Sequence, residues 1–116
     1  MNRQIKLLLL PVLLALSLNL FAGAGSGDGT ITDLYVNAKG TMIRVHFSKP
    51  IVNPDGCDKA DYYMLELDPA DNNNPFVSFL LSAHVSQTTV WFWISGCTSG
   101  AYWGGTHPQL HEVFLK

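Results

Sequence analysis

Cysteine is scarce in this chain of 116 residues: there are two, Cys57 and Cys97. Their wide separation excludes a Cys-x-x-Cys redox dithiol, and two thiols fall short of a Cys-based zinc cage. Charge is scarce as well, at 14% of residues, with 7 Lys and Arg against 9 Asp and Glu. That balance leaves no basic footprint for nucleic acid or anionic lipid. The Gly-x-Ser-x-Gly elbow of serine hydrolases is missing, and Gly100, Gly104 and Gly105 precede a strand-like segment, so no phosphate loop runs into a helix. Asp and Glu are dispersed through loop-like stretches, which gives no acid/base pair. The four histidines do not converge either. His107 and His111 are separated by Pro108 and a strand pattern that spreads them by roughly 13 Å. His84 falls on a helical stripe, and His46 and His111 lie on different strands that would have to pair to bring them together. These absences predict a chain that is not an enzyme and uses no metal or cofactor.

Long apolar runs are also few; the one present is N-terminal. "MNRQIKLLLLPVLLALSLNLFAGAG" has a basic start (Arg3, Lys6), an apolar run from Leu7 to Phe21, and a small-x-small ending, Ala22-Gly23-Ala24. This is the anatomy of a secretory leader. The run is about fifteen residues, short of the ~20 that span a bilayer, so a retained anchor is disfavoured. The sequence therefore predicts residues 1–24 as a leader cleaved after Ala24, and residues 25–116 as one exported domain, periplasmic or secreted. That domain keeps Lys39, Arg44, Lys49, Lys59 and Lys116 against nine carboxylates, a net charge of −4. In an oxidising compartment the two cysteines read as one disulfide, Cys57 to Cys97, rather than two free thiols. Closing a loop of that length stabilises by about 4 kcal/mol in the chain-entropy model.

Five strands and one helix follow from patterning. "GSGDG" reads as a flexible lead-in to "GTITDLYVN". "TMIRVHFS" alternates, with Ile43, Val45 and Phe47 on one face and Met42, Arg44 and His46 on the other. The turn "AKG" between them predicts a hairpin. "KPIVNPDGC" is a loop, and "DYYMLELD" is a third strand with Tyr63, Leu65 and Leu67 on its more apolar face. After the polar loop "DPADNNN", Asn74 caps and Pro75 opens a helix whose stripe runs through Phe76, Leu80, Ala83 and Val77, Leu81, His84. "TTVWFWISG" and "QLHEVFLK" are the last two strands, joined by the glycine-rich loop "CTSGAYWGGTHP". The order β-β-β-α-β-β predicts a mainly β domain with one helix. An OB-like Greek-key barrel is the first expectation, and a small α+β antiparallel sheet under one covering helix is the alternative.

That outline resembles the B subunits of AB-type bacterial toxins of the subtilase-cytotoxin and pertussis-like kind. The shared features are the leader, one disulfide from mid-chain to the region after the helix, the helix "FVSFLLSAHVSQ", the aromatic strand "TTVWFWISGC", a loop and a last strand. "GCDKADYYML" and "LLSAHVSQTTVWFWISGC" are also similar to small exported bacterial proteins of unassigned role. The toxin resemblance implies an OB-fold, a ring-forming homo-oligomer and binding to cell-surface glycans. It carries over no individual binding residue.

The aromatic residues are the candidates for recognition. In "TVWFWIS" the strand period puts Val90, Phe92 and Ile94 on one face and Trp91 with Trp93 on the other. The tryptophan pair is packed under another element, presented to a partner subunit, where Trp is enriched, or offered as a platform to a ligand. Tyr102 and Trp103, flanked by glycines in a loop, are the expected stacking platform if a saccharide is bound, with Asp58, Asp61 or Thr106 as hydrogen-bonding partners. The two functional expectations are an exported glycan-binding module and a monomeric protein–protein interaction factor, such as an inhibitor or accessory protein.

Overall fold

A computed structural model describes residues 23–68, 70 and 74–116; the expected leader up to residue 22 and part of the loop before the helix lie outside the described residues. The domain is mainly β with a single described helix. Strands β1 (Ala24–Gly25), β2 (Ile31–Val36), β3 (Met42–Phe47) and β4 (Tyr63–Glu66) precede helix α1 (Pro75–Ser86), and β5 (Val90–Cys97) and β6 (Pro108–Leu115) follow it. They form one mixed sheet in the order β1-β5-β6-β4-β3-β2.

Each expected strand is present, and one more is added. β2 and β3 form the predicted antiparallel hairpin. Its turn places Gly40 at φ 66°, and Asn37 Oδ1 accepts from the Thr41 amide at 2.8 Å. β3 pairs antiparallel with β4, and β5 with β6. The contact between β4 and β6 is parallel, through Met64 and Gln109, so the purely antiparallel alternative is set aside. The glycine-rich segment before β2 is not a free lead-in. Ala24 and Gly25 pair with Ile94 and Trp93, and Gly29 exchanges two backbone hydrogen bonds with Val90, at 3.0 and 2.8 Å.

This pairing decides the shape of the sheet. β1 and β2 stand at opposite ends of the strand order, where five spacings of ~4.8 Å would separate them by about 24 Å in a flat sheet. Only residues 26–30 connect them, so the six steps from Gly25 to Ile31 reach at most about 21 Å. The sheet must therefore curl. It does not close into a barrel, because β1 pairs with β5 and β2 with β3 but not with each other.

The concave face holds the core. Ile31, Val45, Tyr63, Leu80, Ala83, Val90, Phe92 and Ile94 are all fully buried and pack together. α1 covers this face, capped as expected by Asn74, whose Oδ1 accepts from the Phe76 amide at 2.9 Å. It ends at Gln87 in the left-handed region (φ 53°, ψ 38°), with the Thr88 amide donating to the Ala83 carbonyl at 3.0 Å. The buried stripe is narrower than expected. Leu80 and Ala83 face the sheet, but Leu81 is exposed along with Phe79 and Val85. β4 is also shorter than its sequence pattern, and Met64 on its opposite face is as buried as Tyr63, because the second face of the sheet is covered too.

Candidate functional site

The cover on the second face is built by the loop between β5 and β6. Register alone sets the floor of this region. Tyr35 pairs with Arg44, Arg44 with Met64 and Met64 with Gln109, so these four side chains share one face across four strands. His46, Tyr62 and His107 lie two residues along from Arg44, Met64 and Gln109 and join the same face. Tyr62 stacks on His107, with ring centroids 4.7 Å apart and planes 20° apart, and meets His46 at 5.2 Å. Met42, Tyr62 and Met64 form a second small core against which Tyr102 packs.

Trp103 closes the arrangement from above. Tyr102 and Gly105 bridge a two-residue turn, with the Tyr102 amide donating to the Gly105 carbonyl at 2.8 Å. Trp103 (φ 48°) and Gly104 (φ 91°) both have positive φ, the geometry of a primed hairpin turn. Glycine or asparagine is the usual occupant of such a position; a bulky side chain there costs on the order of 1–3 kcal/mol. Trp103 is nevertheless placed there, half-exposed at 50%, with one flank on the Arg44 side chain. The Arg44 Cζ lies 4.6 Å from the Trp103 ring centroid, 4.9 Å from that of Tyr62 and 5.0 Å from that of Tyr35. Among the described residues the ion pair is Lys116 with Asp28, so the charge of Arg44 is met by π faces rather than by a carboxylate.

Three buried polar atoms of this face have no hydrogen-bond partner: Arg44 Nε, His107 Nδ1 and Gln109 Oε1. His107 is 1% exposed, and its Nε2–H donates to the Tyr102 carbonyl at 2.6 Å. That bond leaves Nδ1 as a bare acceptor. A buried orphan calls for a physical reason, and three on one face make this the chemically unfinished part of the molecule.

The loop is clamped at several points. Glu66 accepts from the Ser99 amide at 2.7 Å, the Ser99 hydroxyl at 2.8 Å and the Tyr102 hydroxyl at 2.8 Å. Partial burial pushes the Glu66 carboxyl up, but these bonds outweigh it and hold the carboxyl below its ordinary value. The same bond from its side raises Tyr102. Farther along, Thr106 donates its amide to Asp58 Oδ2 at 3.1 Å, and its hydroxyl accepts from the Asp58 amide at 3.1 Å. Hydrogen bonding of the Asp58 carboxylate by Thr106, from its amide first and its side chain second, lowers Asp58. A Cβ on Gly105 would come within 2.7 Å of the Asp58 Cβ, so the close approach needs glycine. The Cys57–Cys97 disulfide (Cα–Cα 5.6 Å) stands beside this clamp.

Tyr102 and Trp103 are thus together with Arg44, as a loop platform requires, but Tyr102 is turned toward Glu66. Asp58 and Thr106 bond to each other, and Asp61 is exposed in the segment leading to β4. Trp91 and Trp93 belong elsewhere on the sheet. They stack 6.0 Å apart, Trp91 meets Phe114 edge-on at 5.2 Å, and the backbone at Gly23 and Gly25 lies against them. Sequence reasoning did not nominate Arg44, Tyr35, Tyr62, His107 or Glu66. One signal was available, namely Arg44 as the sole cation within an otherwise uncharged strand.

A groove of about 750 Å³ opens between α1 and the β2–β3 hairpin, with Leu34, Ile43, Leu67, Val77 and Leu81 among its lining. Its lining mixes aliphatic side chains with Lys39, Asp68, Asn74 and Ser78 and holds none of the unpartnered polar atoms, so the Trp103 region is the better candidate. Among the described residues no group of three His, Cys, Asp or Glu side chains could hold a metal ion, and no helix is long and apolar enough to cross a membrane. The chain matches no protein-family model, no curated protein and no solved structure.

Proposed function

We propose that this chain is an exported saccharide-binding module whose recognition surface is the exposed face of Trp103 with Arg44 beside it. The carrying observation is Trp103 itself: a tryptophan held at positive φ, half in solvent, at a turn position that glycine would fill without strain. Strain retained on an exposed aromatic residue supports a role in contact with a ligand. A flat indole offers a sugar ring an apolar face to stack on. The guanidinium of Arg44 beside the indole supplies hydrogen-bond donors for hydroxyl groups. Nothing in this arrangement has the geometry of a nucleophile with a base, so we read it as a binder rather than a catalyst.

The strand order favours an open, OB-like architecture: a three-strand meander, a helix, and a hairpin whose last strand runs parallel to the third. The toxin-subunit resemblance fits this reading and adds the expectation of a homo-oligomer, in which multivalency multiplies weak sites. The alternative, a protein–protein interaction factor, draws on a different observation, the cluster of partly buried Trp91 and Trp93 with the half-exposed Phe114.

The test is Trp103→Gly, screened against an array of neutral and acidic oligosaccharides. Relief of turn strain and loss of ring contacts are each about 1–2 kcal/mol, so the melting temperature should stay nearly unchanged. Binding should fall at least tenfold. An unaltered binding profile, or a wild-type protein that retains no oligosaccharide, would remove the proposal. Loss of a protein contact on Trp91→Ala would favour the alternative.

A further inference from the structure

Ala22-Gly23-Ala24 is the expected recognition sequence for leader removal, and the bond it marks, Ala24–Gly25, lies in β1, the edge strand paired with β5. Ala24 and Gly25 pair with Ile94 and Trp93 of β5. The next residue, Ser26, is buried at 7% exposure; its amide donates to the Phe92 carbonyl at 2.8 Å, and its Oγ accepts from the Phe92 amide at 2.9 Å. Side chains enforce the fit. A Cβ on Gly23 would sit 2.5 Å from the Trp93 indole, and one on Gly25 would sit 2.3 Å from the Trp91 indole. Gly23 and Gly25, on either side of Ala24 at the expected cleavage position, are therefore shaped to lie on the tryptophan pair.

We propose that the domain conceals its own processing site once folded, so that Ala24–Gly25 is cut only before β1 docks on β5. The proposal rests on the leader reading. A peptidase must draw the scissile segment as an extended strand into its own cleft, and here β5 already holds that strand. Hydrolysis consumes one water: Ala24 departs with a new carboxylate and Gly25 keeps a new ammonium. Removal of Gly23 bares the Trp93 face that its backbone had covered.

The experiment uses purified bacterial leader peptidase on three substrates: a synthetic peptide spanning residues 15–30, the full chain kept reduced and unfolded, and the full chain oxidised and folded. The peptide and the unfolded chain should be cut between Ala24 and Gly25, as read by mass, and the folded chain at least tenfold more slowly. Equal cutting of folded and unfolded chains, with the peptide cut, would overturn the proposal and leave the leader reading standing. An uncut peptide would overturn both. Gly25→Ala supplies an independent readout: the unfolded variant should be cut like the parent, whereas its mature product should melt at lower temperature because of the methyl group against Trp91. An unshifted melting point would show that β1 does not dock.

Discussion

Arg44 is held by three aromatic rings at 4.6 to 5.0 Å. A guanidinium stacks flat on such faces where an ammonium cannot, so Arg44→Lys is not a mild change here. Arg44→Met keeps the packing bulk and removes the charge, and is expected to lower saccharide affinity while costing about 1 kcal/mol of stability; binding isotherms and chemical melts separate the two effects. This residue shows where sequence reading stops. Trp103 is legible because glycines flank it in a short loop. Arg44 is not, because its meaning depends on Tyr35, Tyr62 and Trp103 arriving from three other segments, which only strand register determines. Asp58 and Thr106 were named as ligand contacts from composition, yet their hydrogen-bonding groups face each other.

The helix was the most legible element, since Asn74 and Pro75 announce its start and the apolar spacing its length. Replacing Asn74 with Ala removes the bond to the Phe76 amide and should cost about 1 kcal/mol, measurable by denaturant titration with little effect on binding. β1 was the least legible. "AGSG" has no large apolar side chain to form a strand pattern; its pairing fits Trp91 and Trp93, which leave room only for glycine backbone beside them. Curling of the sheet was equally hidden, because it follows from which edges the chain must link rather than from any local preference.

For the whole molecule, the clamp on the site loop sets the pH response. The Glu66 and Asp58 carboxyls are both held below their ordinary values. Their contribution is complete above the unfolded carboxylate range, near pH 4.5, and is lost as pH falls through the lowered folded values. Tryptophan fluorescence should report loosening of the Trp103 loop below about pH 4, before global unfolding. Reduction of Cys57–Cys97 has the larger effect. Opening a bridge with a separation of 40 residues should remove about 4 kcal/mol, a large share of the stability of a domain this small, and a calorimetric scan with and without reductant measures it.

The two backbone bonds between Gly29 and Val90 join positions 61 apart in the chain, and the parallel contact of Met64 with Gln109 joins positions 45 apart. Chain closures of this length come late, because the loops they enclose lose entropy before the contacts reward it. Folding dominated by such pairings runs in milliseconds to seconds rather than microseconds. The sheet that hides Ala24–Gly25 is therefore slow to assemble. If the chain is exported as proposed, that delay is a time window in which the segment around Ala24–Gly25 is still an open strand.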